Sequence, residues 1–179
     1  MIREDLREKR LFFDGGMGTL LQEKGLKAGE LPEIWNLEHS EEVISIHQAY
    51  IEAGSDIILT NTFGANALKF HDGVYSLEEI TKTAVAHGKE AVRRSAGGRN
   101  VYVALDVGPT GKLLKPMGDL AFEEAYEAFR EVMQYGEEAR ADLIHIETMS
   151  DTYEIKAAVL AAKENTNLPV FVTAVFDER

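Results

Sequence analysis

Cysteine is absent from the 179-residue sequence, so no disulfide can brace the fold and a secreted, cross-linked scaffold is excluded. Basic residues are also scarce: 19 Lys and Arg stand against 31 Asp and Glu, a formal net charge of −12. That balance repels phosphate backbones, and no local basic patch offsets it, which excludes a nucleic-acid partner as the expectation. The nearest cluster, Arg93-Arg94, falls at a predicted helix end, where cations complement the dipole. Long apolar runs are missing too, none approaching the ~18–20 residues that span a bilayer. The start, Met1-Ile2-Arg3-Glu4-Asp5-Leu6, is charged and lacks the apolar stretch of a signal peptide. A soluble cytoplasmic protein without a membrane partner is the expectation.

What is present has globular composition, 45% hydrophobic and 28% charged, in a length that suits one domain. No internal boundary is expected across residues 1–179. Short apolar runs alternate with amphipathic stretches. Leu11-Phe12-Phe13, Asp56 to Phe63, Val101 to Asp106, Leu143 to Glu147 and Pro169 to Phe176 read as strands buried on both faces. Four helices are predicted between them. Ser40 opens one that carries Val43, Ile46, His47 and Tyr50 on a face and ends at Gly54. Ser76 and Glu79 have capping-box spacing, with Gly97-Gly98 as the stop. Asp119 is expected to cap the third, which runs to about Arg140. Ser150 or Asp151 begins the fourth, with Ile155, Ala158, Val159 and Ala162 as its buried stripe.

Strand–helix alternation without hairpin turns implies parallel strands and right-handed crossovers. An open doubly wound sheet and a (β/α)8 barrel both fit. An internal echo between Glu52 to Thr62 and Glu138 to Thr148 favours the barrel. Lys24 to Asn36 and Lys112 to Asp119 read as long loops after strands one and three, where such folds keep their chemistry. The chain reaches Asp177-Glu178-Arg179 just past strand five, whereas a closed barrel takes about 250 residues. The expected architecture is therefore α/β: the N-terminal portion of a (β/α)8 TIM barrel, about five parallel strands and four helices, a fragment of a larger protein.

Polar residues gather at the strand ends. Asp14, Asn61, Asp106 and Glu147 would share one rim and converge on one ligand. Carboxylates there suit an ammonium group, and the glycine N–H groups of Gly15-Gly16 suit a carboxylate, which together describe an α-amino acid. Each residue also has a structural reading. Asp14 before Gly-Gly makes an Asx-turn, Asn61 a loop cap, and Asp106 before Gly108-Pro109 a turn residue. Glu147 resists that reading, because an acid ending an apolar strand is costly unless paired. His145 shares a strand face with Glu147 and reads as a hydrogen-bonded core histidine. His39, His47 and His87 read as packing or surface positions. The segment Gly15-Gly16-Met17-Gly18 fails as a nucleotide loop: the third glycine of a dinucleotide fingerprint falls on Leu21, and no Gly-Lys-Ser/Thr follows.

Several of these segments together resemble one family. Phe13-Asp14-Gly15-Gly16-Met17-Gly18-Thr19, Glu52 to Ile58 with Thr60-Asn61-Thr62-Phe63, Val107-Gly108-Pro109-Thr110-Gly111, and Ala141 to Thr148 with Asp151-Thr152 are similar to motifs of homocysteine S-methyltransferase barrels. They occur in the family's order over nearly the whole chain. The acidic third helix and the Pro109-Thr110-Gly111 loop resemble the branch within cobalamin-dependent methionine synthase more than the betaine-dependent branch. The resemblance implies that Asp14 and Glu147 hold the homocysteine amino group, while Gly15, Gly16, Asn61 and Phe63 line its pocket. It implies a zinc ion that activates the homocysteine sulfur and a methyl group delivered by cobalamin. The remaining barrel half and folate- and cobalamin-binding domains would be partners in the parent protein. Family zinc ligands are cysteines on later strands, so no metal ligand is expected in this chain, and the chain alone is expected to be inactive. A betaine- or S-methylmethionine-type methyltransferase, and a half-barrel that binds an amino acid without chemistry, remain as alternatives. An aldolase-type barrel ranks last, because no strand ends in lysine.

Overall fold

The computed structural model describes residues 2–70 and 73–176; the chain end read from Asp177-Glu178-Arg179 lies outside them. Strands β1 (Ile57–Leu59), β2 (Tyr102–Val107), β3 (Leu143–Met149) and β4 (Val170–Ala174) form one parallel sheet in the order β1-β2-β3-β4. The α/β architecture with parallel strands and helical crossovers agrees with the sequence reading.

Strand count is one correction. The run Leu11-Phe12-Phe13 forms no full strand and pairs with β1 through a single parallel bridge, Phe13 to Ile57. Asp14 donates its N–H to the Ile57 carbonyl (2.9 Å), and its carboxylate then accepts the Leu59 N–H (2.9 Å). The side chain thus takes the place of the next ladder bond, and the chain peels away from the sheet.

Helix count is another. Among the described residues seven α-helices are present where four were expected: α1 (Ile2–Glu8), α2 (Met17–Glu23), α3 (Trp35–Glu38), α4 (Ser40–Ala53), α5 (Leu77–Ser95), α6 (Phe122–Glu138) and α7 (Thr152–Asn165). The segment Lys24–Asn36 is only partly a loop, since Pro32–Ile34 makes a 3-10 turn that runs into α3. Pro32 opens that turn, where a missing N–H costs nothing.

Local signals act as expected in most places. Gly54 ends α4 at φ 112°, a left-handed conformation that favours glycine. Ser76 and Glu79 form the reciprocal capping box of α5, at 3.1 and 3.0 Å. Asp151 accepts the Tyr153 N–H at 2.7 Å to start α7. The start of α6 differs: Ala121, not Asp119, is its N-cap, and Glu124 accepts the Ala121 N–H at 2.9 Å. A bridge between Leu114 and Leu120 keeps Asp119 inside the preceding loop. The buried ridge of α7 is Ala157, Ala158, Ala161 and Ala162, with Ile155 and Val159 only partly buried. Small residues let α6 approach α7 closely, which displaces the larger side chains to the flank of the contact.

Strand alternation separates two apolar layers. Ile58 and Val103 pack outward against Ile44, Ile51 and Ala91, while Leu105, Ile144 and Ile146 meet Ile80, Phe129, Val132 and Ala158. Ile57, Tyr102, Ala104 and Leu143 face the other way and enclose Ile2 of α1, which stoppers that layer. Further along the same inner face come Asp106 and His145, which are register partners, and then Glu147. Among the described residues no helix is long and apolar enough to cross a membrane.

Candidate functional site

The inner face opens at the carboxyl ends of the strands into a cavity of about 430 Å³. Asp14, Gly15, Gly16, Asn61, Phe63 and Glu147 all line it, so the structure brings together every residue singled out for substrate contact. Asp106, placed on this rim from the sequence beside its reading as a turn residue, lines it as well, and so does Glu33, which sequence reasoning missed. His145 lies beside them, its ring tilted 31° against that of Phe13 at 4.6 Å between centroids. The signal that points to Glu33 is Pro32, which marks a helical turn inside an apparent loop.

Four acids therefore share one concave surface, and no Lys or Arg is among the residues that line it. Each is anchored differently. Asp14 has one oxygen on the Leu59 N–H, and its other oxygen is buried without a hydrogen-bond partner. Glu33 accepts the Gly64 N–H at 2.6 Å through Oε1, and Oε2 is left unpartnered. Asp106 is fixed through its backbone: its N–H reaches Thr60 Oγ1 (3.0 Å) and its carbonyl accepts from Thr62 Oγ1 (2.7 Å). Its Oδ1 has no partner. Glu147 is half-buried, with a carboxylate oxygen within 4.8 Å of the Asp106 carboxyl and the His145 ring.

Glu147 also sits on an irregularity. The β3–β4 register slips between Ile146 and Met149, and Thr148 takes φ 58°. A bulge of this kind re-aims the side chains beside it, and a β-branched residue at positive φ is strained.

The electrostatics follow from burial and like charge. Burial pushes the Asp14 carboxyl up to about 7, against the pull of the Leu59 N–H, and Glu147 adds to the rise. Asp106 is raised well above its ordinary value, by burial first and then by Glu147 and Asp14. Glu147 is raised by burial, while its bond with Asp106 acts in the opposite direction. Burial alone lowers His145, which favours its neutral form. Such a pocket stabilises whatever cation enters it.

Two further contacts shape the walls. Asn36 Nδ2 donates to the Asn61 carbonyl (2.8 Å), and Asn61 Nδ2 donates to the Pro32 carbonyl (2.7 Å), clipping the 3-10 turn to the end of β1. On the far side, buried Glu154 of α7 accepts from both the N–H and the hydroxyl of Thr110, at 2.8 and 2.6 Å. That bond ties the loop after β2 to α7.

As to metal ligands, Asp106, His145 and Glu147 offer atoms within 4.8 Å of one another. Sequence reading expected no ligand in this chain. The grouping arises because β2 and β3 place Asp106 opposite His145.

A parallel strand–helix fold with an acidic cavity at the carboxyl ends of its strands defines an α/β-barrel-type ligand site. The sequence profile of the family described as homocysteine S-methyltransferase matches residues 11–179, and the chain belongs to that family. Among curated relatives it is 30% identical over 185 residues to methionine synthase of Mycobacterium leprae (strain TN), covering 94% of this chain and 15% of that protein. Methionine synthase of Mycobacterium tuberculosis (strain ATCC 25618 / H37Rv) is also 30% identical, over 182 residues, with 93% and 15% covered. In fold it is similar to the homocysteine methyltransferase MmuM from Escherichia coli. The metallated form superposes with TM-score 0.80 at 20% identity, over 94% of this chain and 64% of that one. The apo form gives 0.72 at 18%, over 95% and 62%. The chain thus spans less than two thirds of each of these relatives.

Proposed function

We propose that residues 1–179 form one continuous part of a (β/α)8 barrel that holds homocysteine for methylation to methionine. The observation that carries this reading is the cavity's acidic lining, in which Asp14, Glu33 and Asp106 each keep a buried oxygen without a donor. An α-ammonium group brings three N–H donors and a positive charge to such a site. Asp14 and Glu147 would hold that ammonium. Backbone N–H groups around Gly15 and Gly16 would take the carboxylate, and Asn61 and Phe63 would flank the side chain. The sulfur would then be directed away from the carboxylates; its methylation, in which the thiol loses its proton and the methyl donor departs, would depend on groups outside this chain. In the methionine synthase branch the methyl group comes from methylcobalamin, and the remaining barrel and the folate- and cobalamin-binding domains would be partners of this chain.

The zinc that the family resemblance implies is held by cysteine thiolates, which this chain does not contain. Asp106, His145 and Glu147 supply no thiolate either, so the residues present do not fit that centre. This chain's share of the chemistry would be to bind and orient the amino acid. By itself it would bind homocysteine and transfer no methyl group.

Calorimetry with homocysteine, and with methionine as the comparison, tests the binding. Homocysteine is expected to bind, and Asp14→Asn and Glu147→Gln to abolish measurable heat. Stoichiometric tight zinc accompanied by methyl transfer from the 179-residue chain would overturn the division of labour. Equal binding of unrelated amino acids would favour a binding module without catalysis.

A further inference from the structure

An ammonium group carries three N–H donors, and with Asp14 and Glu147 as its partners one donor is left over. Asp14, Asp106 and Glu147 stand in a row along the sheet, at the ends of the first strand run, β2 and β3. Glu33 alone comes from outside that row, on the 3-10 turn that walls the cavity. It is 3% exposed and held from two sides. The Pro32 carbonyl just before it accepts from Asn61 Nδ2 at 2.7 Å, and its own Oε1 accepts the Gly64 N–H at 2.6 Å. Glycine permits that approach: a Cβ on Gly64 would stand 2.6 Å from Glu33 Oε1, with Lys69 Nζ equally close to the same point. The other oxygen, Oε2, is buried and meets no donor of the protein, as is Asp14 Oδ1. Burying a carboxylate oxygen without a donor is costly, and on a cavity wall a ligand can bring the donor.

We propose that Glu33 is the third acceptor for the substrate's ammonium group and makes the site specific for a primary amine, so that amino acids alkylated on nitrogen are rejected. The proposal rests on the homocysteine reading of the same cavity and adds to it a residue and a substrate class. Three acceptors are satisfied only by three N–H donors. One N-methyl group removes a donor and leaves a carboxylate oxygen buried without a partner, and a site built to bond an N–H rejects the analogue that lacks it. Two acceptors lose nothing by the same change, since a secondary ammonium still offers two N–H donors. The role of Glu33 therefore shows in the selectivity between primary and secondary amine. A residue that merely held the turn in place would leave that ratio unchanged.

The experiment compares homocysteine with N-methylhomocysteine by calorimetry under reducing conditions, on the protein that contains this chain and on its Glu33→Gln variant. Glutamine keeps an oxygen for the Gly64 N–H but turns a donor, not an acceptor, toward the cavity. In the wild type, N-methylation is expected to weaken binding at least about tenfold, the effect of one hydrogen bond to a charged group. In Glu33→Gln, homocysteine should bind at least about tenfold more weakly than in the wild type, and the two amines should bind about equally. Should Glu33→Gln not fold, Glu33→Asp is the second variant. It keeps the charge and withdraws the carboxylate by one methylene, and the same collapse of selectivity is expected of it. Equal binding of the two amines by the wild type, or a preference that survives in the variant, would overturn the proposal and leave the homocysteine reading standing. If the wild type binds neither amine, the homocysteine reading fails and the proposal fails with it.

Discussion

The Gly108 N–H donates to the Phe63 carbonyl at 2.9 Å, and a Cβ on Gly108 would stand 2.6 Å from both that carbonyl and the Phe63 ring. Glycine at this position lets the loop after β2 lie directly on the residue that walls the cavity. Replacing Gly108 by Ala forces backbone, not just a flexible side chain, to move. A stability loss of about 1–3 kcal/mol is expected from such overpacking, together with weaker homocysteine binding as Phe63 is displaced. Chemical denaturation and calorimetry on the same sample check both.

Asp14 sets the pH dependence expected of ligand binding. Its folded value of about 7 lies above the ordinary 3.8, so between those limits the folded protein holds a proton that the unfolded chain has released. That contribution to stability is complete below about pH 3.8 and is lost as the pH rises through about 7. Cation binding follows the opposite course, because it needs the carboxylate. Homocysteine affinity should rise by up to about tenfold per pH unit below about 7 and level off above it. Asp14→Asn should flatten that profile, as calorimetry from pH 5.5 to 8.5 would reveal.

His47 gives the opposite sign for stability. It is fully buried in α4 with neither ring nitrogen hydrogen-bonded, and burial, with His87 nearby, pushes it down to about 3. The unfolded chain takes up a proton near 6.5 that the folded chain refuses. Stability is therefore present above about pH 6.5 and is lost as the pH falls toward 3, at up to about 1.4 kcal/mol per unit. His47→Leu should remove that share of the slope and change stability little at neutral pH, since no hydrogen bond is broken. Urea unfolding at pH 5 and pH 7.5 makes the comparison; an unchanged difference between the two would contradict it.

Thr148 is a place where stability can be gained. Its positive φ strains a β-branched side chain that is itself exposed. Asparagine tolerates that conformation, so Thr148→Asn is expected to stabilise the protein by about 0.5–1 kcal/mol without loss of homocysteine binding. A lower midpoint in thermal unfolding would refute the strain.

Much of this arrangement was legible in the sequence because its signals are local. Gly54, Ser76 with Glu79, and Asp151 act within a few residues of their own helix ends, and continuous apolar runs mark strands covered on both faces. The first strand was overread because its apolar run gives no hint that Asp14 would replace a ladder bond with its side chain. The α7 stripe was misplaced because close contact with α6 selects alanines over larger residues, a tertiary preference that periodicity alone does not encode. Within the cavity, the acids at strand ends could be read from strand position. For Glu33 the sequence offers only Pro32, which marks the turn and not the burial, since that depends on the Gly64 N–H, 31 residues away. Asp106 and His145 were read as bland individually; their pairing is a matter of register between β2 and β3.

The amide clip between Asn36, Asn61 and Pro32 joins the front wall of the cavity to the sheet beneath it. Two hydrogen bonds thus couple the wall to the floor. The ordering of these groups is completed when the chain folds, which leaves less conformational entropy to lose when a ligand arrives. Relaxing the clip, as Asn36→Ala would, is expected to act as an added entropic penalty on binding, visible in the temperature dependence of affinity rather than in any lost ligand contact.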